Sequence, residues 1–143
     1  MKNTTKKVYE RVYIHAAKIR TAEGWALMIN SMDAFSGFAF EPVLNTTPLI
    51  TIDVLNQLFD NILKGYKPIS HPRQIVFVTS LPEEYGQLFL QTKAAHHRFV
   101  HTPEATRKAM KGFLDSLRLE MTDLYPSYKT IKPNLMAGLV IYL

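Results

Sequence analysis

Cysteine is absent from the chain. Disulfides and thiolate metal sites are thereby excluded, and a cytoplasmic setting is the expectation. No stretch approaches eighteen consecutive apolar residues, the length a membrane-spanning helix requires. The first ten residues, MKNTTKKVYE, carry positive charge but lack the apolar core of a secretory signal. The closing LMAGLVIYL is apolar for nine residues only, which suits a buried strand or a short helix. Internal repeats and low-complexity segments are missing as well. Acidic residues are fewer than basic ones, 12 against 17, giving a net charge of +5 and a pI near 9.5. Such a balance suits a polyanionic partner. The basic residues are nevertheless spread out, with small clusters at Lys2, Lys6 and Lys7 and at Arg107, Lys108 and Lys111. A solvated surface is the plain alternative.

The chain has 143 residues, 47% of them hydrophobic and 20% charged. These values predict one globular domain over 1–143, frayed at 1–7 and unassigned over 126–143. Its organising stretch is GWALMINSMDAFSGFAFEPVL. It reads as two apolar strands, Trp25–Met32 and Gly37–Leu44, around the tight polar turn that begins at Asp33. Val8–His15 alternates and is rich in β-branched and aromatic residues, which predicts a preceding strand, joined to the hairpin by a polar link, Lys18–Gly24. Thr47 and Pro48 form a helix-start signal. After them Ile52, Leu55, Leu58, Phe59 and Ile62 mark one stripe of an amphipathic helix that Gly65 ends. Gln74–Thr79 is a short apolar run, the signature of a strand buried on both faces. A helix from Leu81 to about Ala95, a strand His97–His101 and a long helix opening at Thr102-Pro103 follow. That last helix carries the stripe Met110, Phe113, Leu114, Leu117, Met121 and Leu124 until Pro126 stops it. The order β, hairpin, α, β, α, β, α predicts an α/β domain: a mixed five-stranded sheet, three strands antiparallel and then two parallel, with helices on its faces.

Several segments in this order resemble the catalytic core of retroviral-type integrases and bacterial insertion-sequence transposases, over roughly residues 8 to 122. Arg20-Thr21-Ala22-Glu23-Gly24-Trp25 resembles the link between that family's first two strands, and Met32-Asp33-Ala34-Phe35-Ser36-Gly37 its second hairpin. Val78-Thr79-Ser80-Leu81-Pro82-Glu83-Glu84-Tyr85 stands where the family has Thr-Asp-Asn-Gly-x-Glu-Phe. His101-Thr102-Pro103 takes the place of its proline-containing loop. The resemblance implies a ribonuclease H-like fold. In the family, three carboxylates hold two Mg²⁺ or Mn²⁺ ions that drive in-line displacement on DNA. Here the three positions fall on His15, Ser80 and Met110, and none offers the anionic oxygen that a hard cation requires. The expectation is an integrase-like core without its metal cofactor and without catalysis, a remnant or pseudoenzyme of a mobile element. Its expected partners are DNA bound without sequence preference through Lys6, Lys7, Arg107, Lys108 and Lys111, a second copy of the chain as a homodimer, or a related transposase. With the first strand so near residue 1, no DNA-recognition domain is expected upstream.

Each singled-out residue also has a plainer role. Met110 heads an apolar stripe and reads as core. His15 ends its predicted strand as a core or rim histidine. Ser80 reads as a cap or turn residue and Asp33 as a hairpin turn residue, while Glu84 belongs to a first helical turn. A rival from another class makes the chain an enzyme with rebuilt chemistry, because the ribonuclease H-like order brings His15 and Ser80 to one rim, where a histidine can activate a serine. No glycine-rich elbow surrounds Ser80, and Pro82 removes a backbone donor. A further arrangement would use Asp33, Asp53, Glu83 and Glu84 as metal ligands. His96 and His97 point to opposite faces if the segment is a strand, whereas His97 and His101 share a face if it is helical.

Overall fold

The computed structural model of the chain describes residues 6–21, 24–45, 50–67 and 74–116. Five strands form one mixed sheet in the order β3-β2-β1-β4-β5: β1 Arg11–Thr21, β2 Gly24–Asp33, β3 Val43–Asn45, β4 Val76–Thr79 and β5 Arg98–His101. β2 runs antiparallel to both β3 and β1. β4 pairs parallel with β1, and β5 parallel with β4. This is the ribonuclease H-like layout, with helices on both faces of the sheet. α1 (Ile52–Leu63) and the four-residue α2 (Gly86–Phe89) lie on one face, and α3 (Pro103–Ala109) on the other.

Alternation along each strand sorts the residues between the faces. Val12, Ile14 and Ala16 of β1, Leu27 and Ile29 of β2 and Phe77 of β4 join Leu55, Leu58, Phe59 and Ile62 of α1 in the main core. The expected stripe of α1 is thus the buried one, with Ile52 at its margin. Phe59 is its aromatic centre, with ring centroids 5.1 Å from Phe77, 6.2 Å from Phe89 and 6.1 Å from Phe99. On the opposite face Ala17, Ala26 and Met28 pack with Met110 and Leu114 in a smaller cluster.

Several expected boundaries move. β1 begins at Arg11 rather than Val8, because Tyr9 adopts φ 64° and turns the chain into the sheet. It then continues past His15 to Thr21 in an unbroken ladder with β2, ending at Thr21↔Gly24. Lys18–Thr21 is therefore strand and not link: backbone pairing makes the ladder and tolerates polar side chains. The second hairpin strand is shorter than Gly37–Leu44. After the turn only Met32↔Ala39 bridges before β3 begins at Val43, and the intervening Pro42 has no N–H to give a ladder. α1 starts at Ile52 with Thr51 as its cap, whose hydroxyl accepts from Val54 N at 3.2 Å. The expected cap Thr47 and Pro48 lie outside the described residues.

The helix expected over 81–95 is a 3-10 turn, Glu83–Tyr85, followed by α2. Turn chemistry ends it early: the Thr92 hydroxyl donates to Phe89 O at 2.8 Å and accepts from Ala94 N at 3.2 Å. α3 loses regular helical geometry at Met110, and residues 111–116 are helical again. Leu117, Met121, Leu124, Pro126, the terminus 126–143 and residues 1–5 of the frayed segment fall outside the described residues. Among the described residues no helix is long and apolar enough to cross a membrane.

Candidate functional site

The parallel ladder between β1 and β4 ends at Ile14↔Thr79. The next residue on each strand is one of the singled-out pair, His15 and Ser80, and Ser80 N donates to Ile14 O at 2.9 Å to hold the junction. Open α/β sheets carry their sites at such carboxyl ends of parallel strands. His15 Nδ1 and Ser80 Oγ lie 2.8 Å apart, and Ala16 N donates to the same hydroxyl at 3.3 Å. With that N–H as donor, the serine proton is available to a neutral imidazole nitrogen. Met110, the C-cap residue of α3 on this face of the sheet, is also 0% exposed. The three positions expected to correspond to the family triad thus share one face.

These positions are buried and offer no carboxylate. His15 and Ser80 are each 0% exposed, so their hydrogen bond is enclosed within the fold. His15 is neither rim nor strand end, since β1 continues six residues beyond it. Ser80 does not cap a helix: the cap position of the 3-10 turn is Pro82, without a side-chain bond. The expectation of Met110 as core holds.

Asn30 is opposite His15 on β2 and 1% exposed. Its Oδ1 has no hydrogen-bond partner among the described residues, and the same is true of Thr106 Oγ1 on α3. Sequence reasoning missed both. The available signal was a polar residue inside the apolar run ALMINSM, which becomes meaningful only once the register places it against His15.

Asp33 is a turn residue with a larger task than expected. It is fully buried. Its carboxylate accepts from Tyr9 N at 2.7 Å, Ser36 N at 2.8 Å and Ser36 Oγ at 2.9 Å. Gly37, at φ 76°, closes the turn by donating to Asp33 O. Burial and then the nearby Asp33 charge raise the Tyr9 phenol above its ordinary pKa, and the hydroxyl donates to Ile62 O at the end of α1. Asp53, Glu83 and Glu84 are exposed, in contrast to the buried Asp33. Among the described residues, His, Asp and Glu side chains nowhere gather in the groups of three that a metal site requires.

The histidines near β5 divide differently from either expectation. His97 precedes the strand, and its ring lies 4.1 Å from that of His96, so the two do not point to opposite faces. Its Nδ1 accepts from Ile75 N at 3.0 Å in a buried setting, while His101 Nδ1 lies 3.0 Å from Leu81 O. Burial first, then His96, lowers the His97 pKa to about 4. Its unfolded value is near 6.5, so the stabilisation from neutral His97 is complete above about pH 6.5 and is lost as pH falls through about 4. The expected loss is on the order of 3 kcal/mol. Urea unfolding at pH 7 and pH 4, in the wild type and in His97→Asn, checks this. The wild type is expected to lose more stability than the variant, and equal losses would refute it.

The basic candidates differ in exposure and pairing. Lys6 and Lys7 are exposed ahead of β1. Lys108 and Lys111 are exposed, with Lys111 paired to Asp115 at 3.1 Å, and Arg107 is half-buried. No protein-family model matches the chain, and no curated protein matches it.

Proposed function

We propose that this chain is an integrase- or transposase-like core in which neutral residues occupy the metal-site positions, and that it acts by binding nucleic acid without cutting it. The observation that carries this reading is the buried hydrogen bond between His15 and Ser80, with Met110 sealed on the same face. An imidazole, a hydroxyl and a thioether offer no anionic oxygen to Mg²⁺ or Mn²⁺. The net charge of +5 supports attraction to a polyanion. A second copy of the chain, or a related transposase, is the protein partner that the same origin implies. The lack of cysteine agrees with a cytoplasmic setting.

The test is an assay of duplex cleavage and strand transfer with Mg²⁺ or Mn²⁺, alongside thermal unfolding with and without about 10 mM metal, enough to reveal millimolar binding by linkage. Neither turnover nor a metal-dependent rise in Tm is expected. A rise in Tm accompanied by cleavage in the unmodified protein would overturn the reading.

A further inference from the structure

α3 covers only part of its face of the sheet. Beside it, across β1, β4 and β5, lies an open groove of about 330 Å³. Its construction follows from the register. Arg11 pairs with Val76 and Val76 with Arg98, so two arginines flank a valine in one row across three strands. The next row on the same face is Tyr13, Val78 and Val100. Neighbouring strands stand 4.7–4.9 Å apart, which sets the two arginine Cα atoms roughly 10 Å from each other. Thr102, whose Oγ1 has no hydrogen-bond partner among the described residues, and Ala105 form the wall toward α3.

The charge of this groove has one sign. None of the lining residues is acidic, and among the described residues neither arginine makes an ion pair. Lys108 stands three residues after Ala105, hence on the same side of α3, and extends the basic line. A guanidinium at each end, an aromatic ring and a floor of valines match an anionic chain that carries flat apolar groups. Single-stranded nucleic acid has that chemistry, with phosphates for the arginines and an unpaired base for the ring and floor. A duplex keeps its base faces stacked inside and has nothing to place in such a recess.

We propose that this groove, rather than the dispersed lysines, is a binding site for single-stranded nucleic acid, with Arg11 and Arg98 on successive phosphates and Tyr13 against a base. The proposal rests on the nucleic-acid reading above and gives it a location. On the same face of the sheet, its arginine row stands two rows before the row of His15 and Ser80.

The experiment measures binding of a fluorescent single-stranded oligonucleotide, a duplex of the same length and polyglutamate to the full chain, from about 50 to 200 mM salt, the range over which released counterions dominate. The proteins are the wild type, Arg11→Gln/Arg98→Gln and the charge control Lys64→Gln. Preferred binding of the single strand is expected. The double variant is expected to lose affinity about tenfold or more. Its log K against log salt slope should be shallower by about 1.4. Lys64→Gln, whose native lysine contacts Glu41, should bind as the wild type does. Arg98 is exposed and Arg11 half-buried, so unchanged thermal unfolding of the double variant shows that the fold is intact. Single-strand binding that survives in the double variant overturns this site and leaves the nucleic-acid reading standing. Binding of neither nucleic acid at about 50 mM salt overturns both. Polyglutamate held by the wild type and released by the double variant assigns the groove to acidic peptides and overturns the proposal.

Discussion

Met110→Glu is expected to lower stability by roughly 3–5 kcal/mol, the range for an uncompensated buried charge. Met110 is 0% exposed and packs with Ala17, Ala26, Met28 and Leu114. None of these can answer a carboxylate. Met110→Leu keeps the volume and the apolar character and should cost less than about 1.5 kcal/mol. Chemical unfolding of both variants separates loss of packing from burial of charge. The introduced carboxyl also tests the positional assignment. In the triple variant His15→Asp/Ser80→Asp/Met110→Glu three carboxylates stand on one face, and a divalent cation that binds only the folded form must return stability. With a Kd of about 1 mM, about 10 mM Mg²⁺ would restore roughly 1.4 kcal/mol. Recovery in the triple variant but not in Met110→Glu alone would identify the metal position. No recovery in either would show that these residues do not converge.

What could be read from the residues alone follows from which forces are local. The α1 stripe, the apolar β4 run and the Asp33 turn were legible because each is written in the spacing or turn chemistry of adjacent residues. The parallel pairing of β4 also followed, since a strand after a helix returns by a crossover. The extension of β1 to Thr21 was not legible. Lys18 and Arg20 resemble a polar link, and only the partner strand shows that backbone pairing continues there. The helix expected over 81–95 failed for a related reason: apolar spacing hid the Thr92 turn, and Asn56 reaches from α1 to accept Lys93 N at 2.7 Å. In the site, the approach of His15 to Ser80 was readable from strand order. Their complete burial was not, because it depends on how α3 crosses the sheet. Arg11 and Arg98 are 87 positions apart in a sequence where nothing links them, and only the register through Val76 puts them in one row.

Phe59→Ala is expected to destabilise the fold by about 3–5 kcal/mol, the range for deleting a fully buried phenylalanine. For a domain of this size that corresponds to a fall in Tm on the order of 10–20 °C. Phe59 is 0% exposed and touches the aromatic rings of two strands and α2 at once. Its removal therefore leaves a cavity where both parallel strands meet the helices. Phe59→Leu retains most of the volume and should lose less. Thermal unfolding of the two variants provides the comparison, and a Phe59→Ala protein that melts with the wild type would show that the aromatic cluster is not the mechanical centre of the molecule.

The strand order has a consequence for how the chain reaches its native state. β1, β2 and β3 follow one another and need only short turns to meet. His15 and Ser80, by contrast, are 65 residues apart. Bringing such ends together carries a chain-entropy penalty of roughly 4 kcal/mol by the logarithmic closure law. None of it is returned until the β1–β4 ladder and the α1 packing form together. The seam that the His15–Ser80 hydrogen bond closes is thus the topologically remote joint of the fold. Of the two strand pairings of β1, the one with β4 therefore closes the longer loop of chain, whereas the one with β2 is local.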